Sequence, residues 1–315
     1  MSRYLVTGGA GFIGSNIVEE LITLGEDVIV YDDLSTGHEK NLEKFRSGLD
    51  FVKGDIRDSG TLGKAMVGVD HVLHQAALAS VPRSIEDPVL VNDVNVRGTL
   101  IVLEEARKAG VKSLVYAASS SAYGETEKLP KTEDIVPEPL SPYAVTKLVG
   151  EHYCSVYSKV YGLPTISIRY FNVFGPRQDP ASQYAAVIPI FISNLLQGES
   201  STIFGDGEQS RDFTFVKNVV NANILASRCA SAAGQMVNIA CGTKYTLNEL
   251  YEKLSKLTGA DVRPVYAETR AGDVKHSHAD ISKAEALFGY SVDVDFETGL
   301  ARTVDWYRQN LAGGA

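Results

Sequence analysis

Short apolar runs alternate with longer segments of helical periodicity through the first half of the chain. The runs are rich in β-branched and aromatic residues and predict strands at Tyr4–Val6, Val28–Tyr31, Phe51–Lys53, His71–His74, Ser113–Ala117 and Pro164–Arg169. Apolar residues recur three and four positions apart over about 12–24, 92–109 and 142–161, which predicts helices there. A glycine follows each of these segments, at Gly25, Gly110 and Gly162, as expected for helix C-caps.

Strands without polar alternation, separated by helices, are typical of a parallel sheet covered on both faces. Right-handed crossovers then give a doubly wound α/β fold of the Rossmann type. After Arg169 the pattern loosens and glycine and proline become frequent, which predicts a smaller, mixed C-terminal lobe. We therefore predict a Rossmann domain over 1–168, to which a segment of roughly 213–240 returns, and a substrate-binding lobe that covers mainly 169–315.

Composition narrows the class of protein. The 315 residues are 44% hydrophobic and 22% charged, which is ordinary globular usage and argues against disorder or a coiled coil. The net charge of −9 disfavours binding to nucleic acid or to an anionic membrane, and no apolar run approaches a membrane span. A strand predicted at the N-terminus leaves no room for a signal peptide. The three cysteines are far apart and lack metal-site spacing, so we expect no metal, reduced thiols and a cytoplasmic location.

A glycine-rich loop joins the first predicted strand to the first predicted helix. Gly8, Gly11 and Gly14 allow a tight turn and let a pyrophosphate approach the backbone at a helix N-terminus, although a plain glycine turn is the alternative. Asp32 follows Gly14 by 18 residues at the end of the second strand, where a carboxylate accepts hydrogen bonds from ribose hydroxyls and repels a 2′-phosphate. The pattern favours NAD over NADP. Asp33 is the other candidate for this role.

Further candidates follow the carboxyl ends of later strands, where the ligand crevice of such a sheet lies. They are Asp55, Ala76, Ala77 and the serines Ser119, Ser120 and Ser121. The serine hydroxyls could bind an alcohol or a ketone, and the alternative is a turn stabilised by a serine side chain.

Tyr143 and Lys147 lie four residues apart in a predicted helix and therefore on one face. A free tyrosine has a pKa of about 10, so a general base at neutral pH needs the pKa lowered by about three units. A neighbouring ammonium and a positively charged nicotinamide lower it in the required direction. The alternative is an ordinary surface pair.

Three motifs in this order and spacing resemble the extended short-chain dehydrogenase/reductase family. They are GGAGFIG at 8–14, SSSAYG at 119–124 and YAVTK at 143–147. Other segments resemble the nucleotide-sugar 4-epimerases, and within these most resemble the UDP-N-acetylglucosamine 4-epimerase group: 74–84, 169–180, 184–189, 205–213 and 270–282.

The resemblance implies that Tyr143 is the base, Lys147 holds the nicotinamide ribose and Ser119 binds the reacting hydroxyl. The NAD contacts that it implies, with Asp33 kept as the alternative to Asp32, are Gly8, Gly11, Phe12, Ile13, Gly14, Asp32, Asp33, Asp55, Ile56, Gln75, Ala76, Ala77, Asn95, Tyr143, Lys147 and Phe171. The substrate contacts that it implies are Ser80, Ser119, Ser120, Ser121, Asn172, Ala186, Val187, Phe204, Arg211, Asn238, Arg270, Asp273 and Ser277. Many relatives have Asp-Asn where this chain has Asp32-Asp33, so the sequence leaves the choice between the two acids open.

Two of these residues also suit a nucleotide diphosphate on chemical grounds. Arg211 and Arg270 are planar, permanently charged donors, although ordinary surface salt bridges are the alternative. Ser277 stands where epimerases restricted to glucose and galactose typically have a tyrosine, and a serine leaves room for a 2-N-acetyl group.

The resemblance therefore implies NAD-dependent C4 epimerisation of a UDP-hexose through a 4-keto sugar by a homodimer. UDP-GlcNAc and UDP-GalNAc are the expected substrates, with UDP-Glc and UDP-Gal as further ones. The alternatives are a UDP-sugar decarboxylase, a 4,6-dehydratase and a non-catalytic NAD-sensing regulator. Dehydratases place an Asp-Glu pair where this chain has Ser120 and Ser121, and sensing proteins usually lose the Tyr-Lys pair.

Overall fold

Seven parallel strands form a central sheet in the computed structural model, which describes residues 1–180, 186–269 and 275–311. The strands of the described chain are β1 (Arg3–Thr7), β2 (Asp27–Asp32), β3 (Asp50–Lys53), β4 (His71–His74), β5 (Ser113–Ser119), β6 (Thr165–Tyr170), β7 (Val173–Phe174), β8 (Thr202–Phe204), β9 (Ser210–Arg211), β10 (Thr214–Phe215), β11 (Met236–Ile239), β12 (Tyr245–Thr246) and β13 (Val265–Ala267). The sheet order is β3-β2-β1-β4-β5-β6-β11, and the order reverses between β1 and β4. This confirms the doubly wound fold class and all six predicted strands.

Helices cover both faces of this sheet and recur through the rest of the described chain. They are α1 (Phe12–Thr23), α2 (Ser59–Ala65), α3 (Val81–Glu86), α4 (Pro88–Asn92), α5 (Thr99–Ala109), α6 (Pro142–Tyr161), α7 (Val187–Gln197), α8 (Val216–Ser227), α9 (Leu247–Thr258), α10 (Ser282–Phe288) and α11 (Phe296–Leu311). No helix among the described residues has the length and apolar character needed to cross a membrane.

Local signals explain where the predicted helices begin and end. In α6 the Ser141 side chain accepts a hydrogen bond from Ala144 N at 3.2 Å, Pro142 occupies the first turn, and Gly162 ends the helix in the left-handed conformation. The helix predicted over 92–109 departs from the expectation. It starts earlier, with α4, and passes through a π-helical turn at Asp93–Gly98 before α5.

The strands alternate side chains between two apolar clusters. Leu5, Ile29 and Val72 belong to the cluster on one face, whereas Val6 and Val30 belong to the cluster on the other. Adjacent strands are in register, so Val6 pairs with Val30 and Leu5 with Val72. Because both faces are buried, the strands need apolar residues at successive positions, which is the pattern the sequence shows.

The chain after β6 returns to the sheet. Strand β11 pairs with β6 in parallel, with Asn238 opposite Arg169, and α8 packs against α1 and the strands. The lobe built by β7–β10, β12, β13, α7, α9 and α11 lies beyond the carboxyl end of β6. The division of the chain at 168 into two domains stays a prediction.

Candidate functional site

The glycine loop turns sharply at the carboxyl end of β1. Gly8 has φ +67°, and a Cβ there would lie 2.7 Å from Ala76 N. A Cβ on Gly14 would lie 2.1 Å from Gly8 O, so helix α1 can start against the loop only with glycine at this position. The N-terminus of α1, capped by Gly11, faces the space beyond the sheet and favours an anion.

Asp32 ends β2 beside this loop. Its Oδ2 accepts a hydrogen bond from Ala10 N at 2.9 Å and its Oδ1 accepts one from Leu34 N at 2.8 Å. Burial raises the pKa of Asp32, and these two N–H groups oppose the rise. Asp33 is exposed and accepts from Ser35 N at 2.9 Å, so Asp32 is the acid that the fold holds in place.

Asp55 lies beyond β3 in a cluster of charges. Arg57 Nε donates to both of its carboxylate oxygens at 3.0 Å, which holds the pKa of Asp55 below its ordinary value. Arg57 also pairs with Asp93 at 2.7 Å in the π-helical turn. The cluster therefore fixes the loop after β3 against the turn that precedes α5.

Tyr143 and Lys147 lie one turn apart at the start of α6. The Lys147 ammonium is buried and donates to Ala117 O at 2.8 Å, the only hydrogen bond that the described chain gives it. Burial lowers the pKa of Lys147 to about 8, and the Glu151 carboxylate opposes that fall. In the protein alone, burial raises the pKa of Tyr143, and a hydrogen bond with Ser119 opposes the rise. The lowering expected for Tyr143 is thus not a property of the polypeptide by itself.

The serine triplet forms a tight turn at the end of β5. Ser119 Oγ accepts hydrogen bonds from Ser121 N at 3.2 Å and from Ser121 Oγ at 2.8 Å. All three serines are half-buried, and residues Ser120–Tyr123 form a single 3-10 turn. The turn expected as the plain alternative is present, and its Ser119 side chain also lowers the pKa of Tyr143 against the effect of burial.

A cleft of about 260 Å³ runs along the carboxyl ends of the strands. It brings together most of the proposed cofactor residues: Gly8, Gly11, Phe12, Ile13, Gly14, Asp32, Asp33, Asp55, Ile56, Gln75, Ala76, Ala77, Tyr143 and Lys147. One space is therefore lined both by the start of α1 and by the Tyr-Lys pair.

A second cleft of about 300 Å³ lies in the C-terminal lobe. Five of the proposed substrate residues line it: Asn172, Ala186, Val187, Phe204 and Arg211. Apolar side chains of α7 form much of its wall, and Arg211 brings a positive charge to it. Such a mainly apolar space with one cation suits a ligand that has both a flat ring and a phosphate.

Other proposed residues lie away from these two clefts. Asn95 is buried, and its amide bonds to the backbone of Leu78 at 2.8 and 3.2 Å. Asn238 and Phe171 are completely buried, and the Asn238 amide is occupied by protein partners. These side chains therefore support the walls of the site rather than face it.

Two further candidates lie at loop positions. Ser80 caps α3 by accepting from Arg83 N at 3.1 Å. Ser277 is buried and donates its N–H to Ser210 O at 3.0 Å, beside β9. Arg270 and Asp273 lie outside the described residues.

Sequence reasoning missed several buried polar side chains near the site. Glu151 and Arg169 form a buried ion pair, and Lys131 is 2% exposed. Asp212 accepts hydrogen bonds from Cys241 N, Gly242 N and Ala279 N, and burial raises its pKa to about 6. Glu151 stands four residues after Lys147 on the same helix face, which was a usable signal; no local pattern marks Lys131 or Asp212.

Within the parts of the chain that the structure describes, no group of three or more His, Cys, Asp or Glu side chains could hold a metal ion. The side chains that converge are hydroxyls, one ammonium and carboxylates bound to backbone N–H groups.

A family model described as the NAD dependent epimerase/dehydratase family matches residues 4–240. A relative from Methanocaldococcus jannaschii, described as a putative UDP-glucose 4-epimerase, is 42% identical over 97% of this chain and 98% of its own length. The structure of a UDP-N-acetylglucosamine 4-epimerase from Methanobrevibacter ruminantium in complex with UDP-N-acetylmuramic acid is 42% identical, covers 98% of each chain and has a TM-score of 0.93. A Thermus thermophilus UDP-glucose 4-epimerase in complex with NAD is 39% identical, covers 98% of this chain and 99% of its own, and has a TM-score of 0.89.

Proposed function

Since the chain belongs to the NAD dependent epimerase/dehydratase family, we propose that it is a UDP-sugar 4-epimerase that uses NAD. The observation that carries this proposal is the single cleft that joins the glycine loop and Asp32 to Tyr143 and Lys147. A dinucleotide in this cleft would have its pyrophosphate at the glycine loop and its reactive end beside the residues able to move a proton. The relatives described above as UDP-glucose 4-epimerases match nearly the whole of this chain, which supports the same activity.

The residues present fit the dinucleotide. Gly8, Gly11 and Gly14 line the cleft without side chains, so the backbone at the start of α1 is open to a pyrophosphate. The anchored Asp32 carboxylate suits two ribose hydroxyls and repels a 2′-phosphate, so we assign it the ribose contact and favour NAD over NADP. The buried Lys147 ammonium has N–H groups left for the second ribose.

The chain itself supplies the proton chemistry. When bound, NAD supplies reversible hydride acceptance at its nicotinamide, which makes a transient 4-keto sugar accessible. Tyr143 takes the proton from the sugar 4-hydroxyl and returns it to the same oxygen. The Ser119 hydroxyl, which opposes the rise in the pKa of Tyr143, binds the same sugar oxygen. Because burial raises the pKa of Tyr143, the nearby Lys147 ammonium and the positive charge of the oxidised cofactor must stabilise the phenolate.

We assign the diphosphate and the uridine to the C-terminal lobe. Arg211 lines its cleft with Phe204 and Asn172, a set that pairs a cation with an aromatic ring and an amide. This supports a division in which residues 1–168 hold the cofactor and 169–315 mainly hold the UDP-sugar. Ser80, Ser120 and Ser121 remain candidates for contacts to the sugar.

The sugar that we propose is N-acetylated. Ala186 and Val187 are small for a cleft wall, and the buried Ser277 lies where a tyrosine side chain would take up more space. UDP-GlcNAc and UDP-GalNAc are therefore the substrates we expect to react best, with UDP-Glc and UDP-Gal as further ones. The serines at 120 and 121 have no carboxylate or carboxylic acid with which to run a 4,6-dehydration.

Two measurements test the proposal. Denaturing the purified protein and assaying the released nucleotide should show NAD in excess over NADP. Incubating the folded protein with UDP-GlcNAc, UDP-Glc and UDP-glucuronate and separating the products should show C4 epimers, UDP-GalNAc foremost. A pentose product would indicate a decarboxylase, a 4-keto-6-deoxy sugar a dehydratase, and bound NAD without turnover a sensor; each of these outcomes refutes the epimerase.

A further inference from the structure

A buried ion pair lies one helical turn beyond Lys147 along α6. Glu151, one turn after Lys147 in α6, accepts from Arg169 Nε at 2.8 Å and from Arg169 Nη2 at 2.7 Å. The two side chains are 7% and 1% exposed. This bidentate contact ties the catalytic helix to β6 in the interior of the sheet.

The ion pair contacts Tyr123, an aromatic residue of the SSSAYG motif at 119–124. The Arg169 guanidinium lies 4.3 Å from the centroid of the Tyr123 ring. Tyr123 is 1% exposed, and its hydroxyl donates to Asn238 Oδ1 at 2.7 Å. Asn238 Nδ2 in turn donates to Lys131 O at 3.0 Å and to Asp280 O at 3.2 Å. The contacts thus run without a break from α6 to the segment that follows Ser277.

Lys131 also contacts the turn Ser120–Tyr123 and the glycine that follows it. Its Nζ donates to Gly124 O at 3.0 Å and lies 5.6 Å from the centroid of the Tyr123 ring. Gly124 N donates back to Ser121 O at 3.2 Å. The turn Ser120–Tyr123, which carries two of the three serines, is therefore held by Tyr123 at its end and by Lys131 just beyond it.

This arrangement is poorly explained by stability alone. Buried ion pairs commonly contribute little to folding, because removing both charges from water offsets their attraction. In the described part of the chain, no carboxylate forms an ion pair with the buried Lys131 ammonium. Among the described residues Arg169 Nη1 has no hydrogen-bond partner, whereas the other polar contacts of this group are paired. Paired polar groups in an interior favour one geometry, since a misplaced partner would be left unpaired.

We propose that Tyr123 is a positioning residue: held by Arg169, Asn238 and Lys131, it fixes the serine turn at the distance from Tyr143 that proton transfer requires. The inference rests on the proposed epimerase function. It also gives Asn238 a role that differs from substrate contact. Because the same contacts reach Asp280, they also hold the turn Ser120–Tyr123 in one position relative to the segment that carries Ser277 and Asp280.

The first test compares two tyrosines of similar burial. Tyr123→Phe removes only the hydroxyl that donates a hydrogen bond to Asn238. The control, Tyr4→Phe, removes a fully buried hydroxyl at the amino end of β1, where it lies near Ser227 and Arg228. Tyr123→Phe should lower kcat about ten- to a hundredfold with KM changed less than about threefold, because misplacement acts mainly on the transition state. Tyr4→Phe should leave kcat unchanged. Equal kcat values for the two variants would overturn the proposal.

A second test does not depend on turnover. Amide hydrogen exchange at Ser121 and Gly124 should be at least about tenfold faster in Tyr123→Phe than in Tyr4→Phe. Lys131→Met should show the same acceleration and the same fall in kcat, and Lys131→Arg should restore part of both. If wild type fails to epimerise any UDP-sugar, the proposed function falls, and exchange still decides the positioning role. Unchanged exchange in Tyr123→Phe and Lys131→Met would refute it.

Discussion

Burial is the largest cause of the pKa shifts of the two central side chains of the site, Tyr143 and Lys147. Tyr143 and Lys147 share one helix face, yet burial moves their pKa values in opposite directions, upward for the phenol and downward for the ammonium. Both shifts disfavour the charged forms. The charge of an oxidised cofactor would favour the phenolate, so catalysis by Tyr143 should depend on the bound cofactor.

Replacing Tyr143 by Phe should abolish epimerisation while the protein stays folded, because only the proton-transferring hydroxyl is lost. We expect kcat to fall by about 10²- to 10⁴-fold, with NAD content and thermal midpoint close to wild type. Steady-state kinetics with UDP-GlcNAc and a thermal melt check this. Near-normal turnover by the folded variant would contradict the assignment. Lys147→Ala is the companion variant and should reduce both NAD content and rate.

Ser277→Tyr should change the choice of sugar. The serine is buried beside Ser210, so a phenol there must occupy neighbouring space, and a clash excludes the larger N-acetylated sugar more strongly than the plain one. The ratio of kcat/KM for UDP-GlcNAc to that for UDP-Glc should fall by at least about tenfold. Ser277→Ala is the control and should keep the wild-type ratio. A Tyr variant with the wild-type ratio would rule out Ser277 as the residue that sets sugar size.

Lys131 should leave a measurable signature in the pH dependence of stability. Burial lowers its pKa to about 8, Arg211 adds to the fall and Glu125 opposes it. An unfolded lysine has a pKa of about 10.4, so between these pH values the folded protein binds fewer protons and its free energy of unfolding rises with pH. Relative to Lys131→Met, wild type should therefore gain about 2 kcal/mol from pH 7 to pH 10. Urea unfolding at both pH values measures this; a constant difference would contradict it.

At the scale of elements, the site is assembled from strand ends and one helix. Strands β1, β2, β4 and β5 end at the same edge of the sheet, and α6 brings Tyr143 and Lys147 to that edge. The tight glycine turn between β1 and α1 sets how closely the helix N-terminus approaches the cleft. Geometry at these junctions, more than any single contact, decides whether a dinucleotide fits.

Gly14→Ala tests the junction of β1 and α1. A Cβ at this position would meet Gly8 O at 2.1 Å, so the helix must move away from the loop. We expect the purified variant to lose most of its NAD and to unfold at a lower temperature. Gly60→Ala in α2 is the matched control, since its Cβ would meet nothing closer than Asp58 Oδ1 at 3.4 Å. Full NAD content in Gly14→Ala would show that the loop is not the pyrophosphate site.

At the scale of the whole molecule, α6 has two different faces. Its buried face packs on β5 and β6, whereas Val145, Val156 and Val160 are 45%, 46% and 67% exposed. On α3 and α4, Ile85 and Val89 are also exposed. Such an apolar surface beside the site supports the expected homodimer, in which these helices would pair with a second copy.

Val156→Lys should weaken that assembly, because it places a charge on this apolar surface. Light scattering after size-exclusion chromatography should give a dimer for wild type and mainly monomer for the variant. Leu225→Lys is the control, since this exposed leucine lies on α8, away from the surface. A monomeric wild type, or a variant that remains dimeric, would contradict the proposed interface.

Features that depend on residues close together in the chain could be predicted from the sequence. Hydrophobic periodicity predicted six of the seven strands of the central sheet, glycines marked helix ends, and the spacing of Gly8, Gly11, Gly14 and Asp32 pointed to a dinucleotide. Tyr143 and Lys147 could be paired because four residues make one helical turn. These signals work because the causes act within a few residues of one another.

The tertiary structure alone decided the features that depend on contacts between distant residues. The π-helical turn before α5, the burial of Asn95 and Asn238, and the chain of contacts through Tyr123 follow from how separate segments pack. Lys131 looks like any loop lysine in the sequence, and only the fold surrounds it. Periodicity reports which face of an element is buried, whereas the partner of a buried polar group is set by the packing of residues that lie up to a hundred or more positions apart.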